Sequence, residues 1–162
     1  MKNLSNNKKG FTLIELLSVI VILSVLVLLA VPAATTYLDD TRAKATAINA
    51  RESIEAVRQD IFMNGFNSAT GDVKVYNLDQ INNLLQKKLI TSPFSGSYSN
   101  DSVKIRVTQN NNGTYTYEMC MIDSAGNGFA TYTLENNIDG NIVKSPATIT
   151  GTNDCIYTSN VG

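Results

Sequence analysis

Residues 8–38 read KKGFTLIELLSVIVILSVLVLLAVPAATTYL and decide how the chain is organised. Two lysines and a glycine precede a long apolar run, and Glu15 is the only charged residue within that run. No charge occurs from Leu16 to Leu38, and this stretch exceeds the ~20 apolar residues that span a bilayer. An ionisable group inside such a segment is costly, so Glu15 is a candidate functional residue that needs a partner.

Length and composition restrict what the rest of the chain does. The chain has 162 residues, 13 basic and 14 acidic side chains, and no histidine. Beyond the apolar run, roughly 120 to 130 residues remain, which is enough for one domain. A net charge of −1 argues against the extended basic face that nucleic-acid binding requires, although it leaves room for a small local patch. Without histidine there is no Ser-His-Asp or Cys-His site, and we expect no catalytic residues, no cofactor and no metal.

The charges that flank the apolar run predict its orientation. Lys2, Lys8 and Lys9 precede the run, and Asp39–Asp40 follow it. The positive-inside rule therefore places the N-terminus in the cytoplasm and the domain outside. The run is longer than the roughly 7–15 apolar residues of a secretory signal. Cleavage at the following Ala-Val-Pro-Ala-Ala stretch is the alternative.

Two cysteines, Cys120 and Cys155, lie in the part predicted to be exported. Oxidising conditions outside the cell favour one disulfide between them. Two separate buried thiols are the alternative interpretation.

Residues 11 to about 63 are predicted to form one long helix with two different halves. From 11 to 38 the sequence is apolar on every side, as in a membrane helix. Pro32 removes one helical hydrogen bond, which predicts a kink near residues 28–32. The alternative is that one helix ends at Pro32 and another begins.

The second half of the predicted helix, residues 39–63, is amphipathic. Apolar residues recur every three or four positions in this half, at Ala43, Ala47, Ala50, Ile54, Val57 and Ile61. This period indicates one apolar stripe that packs against a domain.

After the helix the sequence predicts a turn at 64–72, a short helix at 78–90 and then strands. Val103, Ile105 and Val107 alternate with polar residues, Asn110–Gly113 is a hairpin turn, and Tyr115–Met121 alternates back. Residues 129–134 form a third strand, Ile142–Val143 are a candidate fourth, and an irregular tail begins near 144. Helices followed by strands predict an α+β fold, with a three- or four-stranded antiparallel sheet on the long helix.

Asp/Asn/Gly turns at 123–128 and 135–141 are interpreted as ordinary turns rather than calcium loops.

The KKG sequence followed by FTLIELL resembles the prepilin signal of type IV pilins and pseudopilins. The resemblance implies three parts: a leader at 1–10, a membrane and filament-core half-helix at 11–38, and a head domain at 39–162 that includes the amphipathic half, 39–63. It also implies the type IV pilin-like fold, in which the C-terminal half of a long helix packs against a small antiparallel sheet.

The family implies a processing route for this chain. A membrane prepilin peptidase, with Lys8 and Lys9 in the leader as recognition residues, would cut between Gly10 and Phe11 and then N-methylate Phe11. The anchored subunit would wait in the lipid bilayer, and an assembly platform in the membrane would then pack it into a filament with copies of itself and other pilins.

The chemistry of Glu15 fits this route. Cleavage creates a cationic amine at Phe11, and buried charges offset their desolvation only when they are paired. We therefore expect the Glu15 carboxylate of one subunit to pair with the amine of another and to set the register. The alternatives are a pair within the same subunit, or a charge that only marks the membrane edge.

The resulting hypothesis is a structural subunit of a type IV pilus, not an enzyme, which supports adhesion, motility or aggregation at a bacterial surface. One alternative is a pseudopilin of a secretion or DNA-uptake machine, and only the latter would bring nucleic acid as a partner. The alternative from another class is a membrane-anchored binding domain that never polymerises.

Overall fold

The structure is a computed structural model that describes residues 10–66, 72–144 and Cys155. The chain divides into two compact units, Met1–Leu38 and Asp39–Gly162. The elements follow in the order α1 (Leu13–Asn64), β1 (Val73–Asn77), α2 (Leu78–Leu84), β2 (Val103–Gln109), β3 (Tyr115–Ile122) and β4 (Gly128–Leu134), with a short 3-10 helix (Glu135–Asn137) after β4. The predicted leader at 1–10, apart from Gly10, and most of the predicted tail lie outside the described residues.

Helix α1 carries the predicted apolar stripe on its C-terminal half. All six predicted positions are buried, together with Thr46 and Ser53. Those two hydroxyls donate to the carbonyls of Arg42 and Asn49, at 3.0 and 2.7 Å. Because both polar groups are satisfied within the helix, they can be buried without an unpaired donor.

The four strands form one antiparallel sheet in the order β1-β2-β3-β4. The alternation predicted for Val103, Ile105 and Val107 is confirmed, since all three side chains are buried. The predicted hairpin turn joins β2 to β3, and Gly113 adopts φ +79° within it. The long helix and the antiparallel sheet give the α+β, type IV pilin-like arrangement.

The fourth strand is β1, Val73–Asn77, and not Ile142–Val143 as the sequence analysis expected. The Asp139 carboxylate explains the difference. It accepts hydrogen bonds from the backbone N–H groups of Asn141 at 2.8 Å and Ile142 at 3.3 Å. An N–H held by a local turn is not available to a strand ladder. Among the described residues of this segment, pairing is one bridge between Gly128 and Lys144.

Helix α2 ends at Leu84, six residues before the predicted end at Ile90. After Leu84 the Asn82 side chain takes the place of helical backbone hydrogen bonds. Its Oδ1 accepts from Leu89 N at 2.7 Å, and its Nδ2 donates to Leu89 O at 3.2 Å. At the other end Asn77 and Gln80 form a capping box. Lys87 and Lys88, which fall within the predicted helix, therefore lie beyond its observed end.

The buried residues form two clusters on opposite faces of the sheet. The larger one joins the α1 stripe to the inner face, where Met119 and Met121 of β3 are fully buried. The smaller cluster contains Cys120, Ile122, Ala130 and Cys155. Consecutive residues of a strand point to opposite faces, so Cys120 faces away from α1. The structure joins Cys120 to Cys155 in a disulfide, with Cα atoms 5.6 Å apart.

A buried carboxylate, Asp123, ties the β3–β4 turn to the loop before β2. It is 4% exposed and accepts hydrogen bonds from Ser92 Oγ and from the backbone N–H groups of Ala125 and Asn127, both at 2.9 Å. A Cβ on Gly96 would lie 2.4 Å from Asp123 Cγ, so only glycine permits this approach. Burial by itself raises the pKa of Asp123, but these hydrogen bonds outweigh burial and hold the pKa below its ordinary value.

We expect Asp123→Asn to lower the free energy of unfolding by about 1–3 kcal/mol, because its amide would present N–H groups to the same donors. The pKa of Asp123 is lower in the folded chain than in the unfolded chain. The ionised carboxylate therefore contributes to the free energy of unfolding above the unfolded pKa of about 4. This contribution is lost as the pH falls through the folded pKa. Unfolding of the detergent-solubilised chain across acidic pH tests this. The variant should lose part of the acid dependence. Asp101→Asn, at an exposed position, is the control and should change the free energy of unfolding little. Equal pH dependence for Asp123→Asn and wild type would refute the assignment.

Candidate functional site

The start of α1 is a capping box built from Thr12 and Glu15. Thr12 O accepts the first helical hydrogen bond, from Leu16 N at 3.2 Å, which makes Thr12 the N-cap. Glu15 Oε2 accepts from Thr12 N at 2.7 Å and from Thr12 Oγ1 at 2.8 Å, and Glu15 N donates to Thr12 Oγ1 at 3.3 Å. This reciprocal pattern satisfies donors that a helix start otherwise leaves unpaired.

Glu15 therefore has a partner within its own chain, which the sequence analysis missed. The signal was present, because Thr followed three residues later by Glu before an apolar run is the sequence form of a capping box. The carboxylate also lies in the first turn, where the helix dipole favours a negative charge. Only Oε2 takes part in these bonds, and Oε1 has no hydrogen-bond partner among the described residues.

The residues after Glu15 present apolar side chains on every side of the helix. Every residue from Gly10 to Arg42 is exposed in the single chain. Among the described residues, α1 is the one helix long and apolar enough to cross a membrane, with a mean hydropathy of 3.0 in a window of which no residue is buried. A buried core helix of a soluble protein does not have this exposure.

The serine and threonine hydroxyls between Leu16 and Leu38 all donate to backbone carbonyls of the helix itself. Ser18 and Ser24 donate to the carbonyls four residues earlier, at 2.8 and 2.7 Å. Thr35 and Thr36 both donate to Pro32 O, at 2.9 and 3.0 Å. Such internal bonds allow polar groups to lie in a non-aqueous environment.

Helix α1 continues through Pro32, so the alternative of two separate helices is wrong. The hydroxyls of Thr35 and Thr36 cluster on the Pro32 carbonyl, while the ring leaves Pro32 without an N–H to donate. The predicted kink near residues 28–32 stays a prediction.

The predicted cleavage point lies in non-helical backbone. Gly10 and Phe11 precede the helix and are exposed, Phe11 at 93%. A peptide bond outside a helix has no ladder of hydrogen bonds to break before a peptidase binds it. The predicted recognition residues, Lys8 and Lys9, lie outside the described residues.

Among the described residues after Leu38, the candidates for a further site are groups that could hold a metal ion and the acidic turns. Within the described ranges, no three His, Cys, Asp or Glu residues are placed to hold a metal ion. In the 123–128 turn the Asp123 carboxylate is occupied by protein donors, as described above. In the 135–141 turn the Asp139 pKa is lowered by hydrogen bonds from Asn141, a bonding pattern of ordinary turns.

Comparison with known proteins adds one positive finding. Residues 5–31 match the family model of the prokaryotic N-terminal methylation motif. No curated protein and no solved structure matches the chain significantly.

This motif is the class III signal peptide of type IV pilins and pseudopilins. The chain thus carries the processing signal of that family, and the resemblance noted for KKG followed by FTLIELL is confirmed. The motif supports a type IV pilin or pseudopilin, which is a family of structural subunits and not of enzymes. The exposed apolar helix near the N-terminus fits a membrane-anchored pilin precursor.

The capping box leads to a test of Thr12. We expect Thr12→Ala to destabilise the start of α1 by about 1 kcal/mol, which corresponds to about fivefold faster amide exchange in the first turn. The measurement is hydrogen exchange on the full chain in detergent micelles. Thr36→Ala is the matched control, because Thr35 still bonds the same carbonyl. Unchanged exchange at residues 13–16 in Thr12→Ala would contradict a capping role.

Proposed function

We propose that the chain is a structural subunit of a type IV pilus. Prepilin peptidase would recognise the leader through Lys8 and Lys9, cut between Gly10 and Phe11, and methylate the Phe11 amine. The subunit would then move from the bilayer into a filament of like subunits at the cell surface, by way of an assembly platform. The observation that carries the proposal is the N-terminal methylation motif on a helix whose apolar half is exposed.

The exposed apolar half supports polymerisation because it needs a non-aqueous neighbour in every state. Residues 16–38 bury none of their side chains in the single chain. Before assembly the lipid bilayer provides that environment, and afterwards the same half-helices of other subunits would do so. Transfer between two apolar environments changes the hydrophobic free energy little, which leaves electrostatics and packing to set the register.

Glu15 supplies the electrostatic part of this proposal. Cleavage produces a cationic amine at Phe11, and methylation retains the charge. The Glu15 carboxylate bonds Thr12 through Oε2 only, which leaves Oε1 for the amine of a neighbouring subunit. The pair would neutralise two charges that are costly to bury singly. Capping and pairing can therefore occur on the same side chain.

The first experiment tests processing. We expect Gly10→Val to remain uncut, because a branched side chain would occupy the position next to the scissile bond. A Cβ at Gly10 meets no atom of the described residues within 4 Å, so the described part of the fold has room for the substitution. Mass spectrometry of the wild-type protein sheared from cells should show N-methylated Phe11 as the first residue. An intact Met1 that stays in the membrane fraction would instead support a binding domain that does not polymerise.

The second experiment separates the two roles of Glu15. Glu15→Gln removes the charge, but glutamine still serves in a capping box, whereas Glu15→Ala removes both. We expect both variants to be cut and neither to form normal filaments. Electron microscopy and shearing of cells that express each variant alone give the readout. Normal filaments from Glu15→Gln alone would show that capping, and not charge pairing, is what assembly requires.

A pseudopilin of a secretion or DNA-uptake machine would pass the processing test as well. The pilus subunit and the pseudopilin differ in whether they form long filaments on the cell surface. A pilus subunit should appear in long surface filaments at native expression, and its deletion should remove them. A pseudopilin deletion should instead abolish secretion or DNA uptake while surface filaments persist.

A further inference from the structure

The chain contains three Asn-Gly pairs, at Asn64, Asn112 and Asn127. In such a pair the glycine nitrogen can attack the asparagine side-chain carbonyl, because glycine has no side chain to obstruct the approach. The structure places the three pairs in very different surroundings, and one of them is arranged for this reaction.

Asn112 lies at the exposed tip of the β2–β3 hairpin. Its Oδ1 accepts two hydrogen bonds, from Thr114 N at 3.1 Å and from Thr114 Oγ1 at 2.7 Å. Thr114 Oγ1 in turn accepts from Asn110 Nδ2 at 2.9 Å, which directs the hydroxyl hydrogen toward Asn112. The Asn112 Nδ2 has no hydrogen-bond partner among the described residues.

This geometry stabilises the charge that develops during attack. When the glycine nitrogen adds to Cγ, negative charge builds on Oδ1, and two donors aimed at that oxygen act as a small oxyanion hole. The leaving group, Nδ2, is not tied to the protein. Gly113 N donates to Asn110 O at 2.9 Å, so this one bond at the exposed turn must open first.

The other two pairs are held against the reaction. Asn64 is the last residue of α1, its Nδ2 donates to Asp60 at 2.8 Å, and Gly65 N bonds the helix carbonyl of Ile61. Asn127 is buried, and its Nδ2 donates to both carboxylate oxygens of Asp123 at 3.1 Å. Conversion at Asn64, which is exposed, requires its side-chain bond to Asp60 and the last turn of α1 to open, and conversion at Asn127 requires a buried turn to open.

We propose that the Asn112-Gly113-Thr114 turn is a self-modifying site that converts Asn112 to aspartate and isoaspartate in the folded protein. Gly113 N forms a bond to Asn112 Cγ, its proton passes to water, and Nδ2 leaves as ammonia, which gives a cyclic imide. One water then opens the imide at either carbonyl. Each converted chain gains one negative charge at the hairpin tip, so the modification would mark older molecules. The inference does not depend on the proposed function.

The test follows conversion at all three pairs by peptide mass spectrometry, in the native full chain and in the denatured chain, at mildly alkaline pH. In the native chain we expect Asn112 to convert well before Asn64 and Asn127, and in the denatured chain all three should convert at similar rates. Native conversion at Asn64 or Asn127 as fast as at Asn112 would overturn the proposal.

Thr114 variants test the mechanism. Thr114→Val keeps the backbone donor and removes the hydroxyl, and we expect roughly threefold slower conversion, the worth of one exposed hydrogen bond. Thr114→Ser should convert at the wild-type rate. A purely structural role for Thr114 predicts the opposite sign, because a looser turn would free Gly113 N and speed the reaction. Conversion in Thr114→Val that is unchanged or faster therefore refutes the role assigned to the hydroxyl.

Discussion

The structure depends on one constraint: the first half of α1 has apolar side chains on every side and no core of its own to bury them. From Leu16 to Leu38 the chain carries no charge, and every residue in this stretch is exposed. Water cannot be the working environment of such a surface. The polar groups in this half follow from the same constraint, because each serine and threonine hydroxyl bonds a carbonyl of its own helix. Under the proposed function, cleavage and polymerisation would act on a segment that is already suited to lipid and to other helices.

The second half of α1 meets a different constraint, since it must bury only one stripe. The residues nearest the start of the stripe are small, Ala43, Ala47 and Ala50, and larger residues follow at Ile54, Val57 and Ile61. The sheet covers this stripe with the inner faces of its strands. Arg51 and Arg58 flank it and reach the segment after β4, through Ile138 O and the Glu135 carboxylate. Hydrophobic burial holds the helix on the sheet, and the two arginines beside the stripe bond the helix to the segment after β4.

Periodicity was sufficient to predict the elements whose side chains alternate between core and solvent. The α1 stripe and the β2 alternation were predicted from spacing alone, and both are buried as predicted. The predictions that were wrong concern segments in which polar side chains form hydrogen bonds with the backbone. Asn82 ends α2 by bonding both backbone groups of Leu89, and Asp139 holds the Ile142 N–H in a turn. These bonds depend on the tertiary position of short polar side chains, which hydrophobic spacing does not report. Strand β1 was missed because Val75 is exposed and five residues give little alternation.

At the candidate site, by contrast, the sequence contained a local signal that was overlooked, the capping-box pattern of Thr12 and Glu15. Glu15 was interpreted through its charge, so its expected partner was an amine in another subunit. The structure adds that the same carboxylate caps its own helix through Thr12. A carboxylate fixed by two donors on Oε2 has lost much of its side-chain freedom before assembly begins. The proposed pairing with a neighbouring amine at Oε1 would then cost less conformational entropy than it would for a mobile side chain. If Glu15 pairs as proposed, Thr12 would contribute to assembly indirectly, because it holds the Glu15 carboxylate in one orientation for the neighbouring amine.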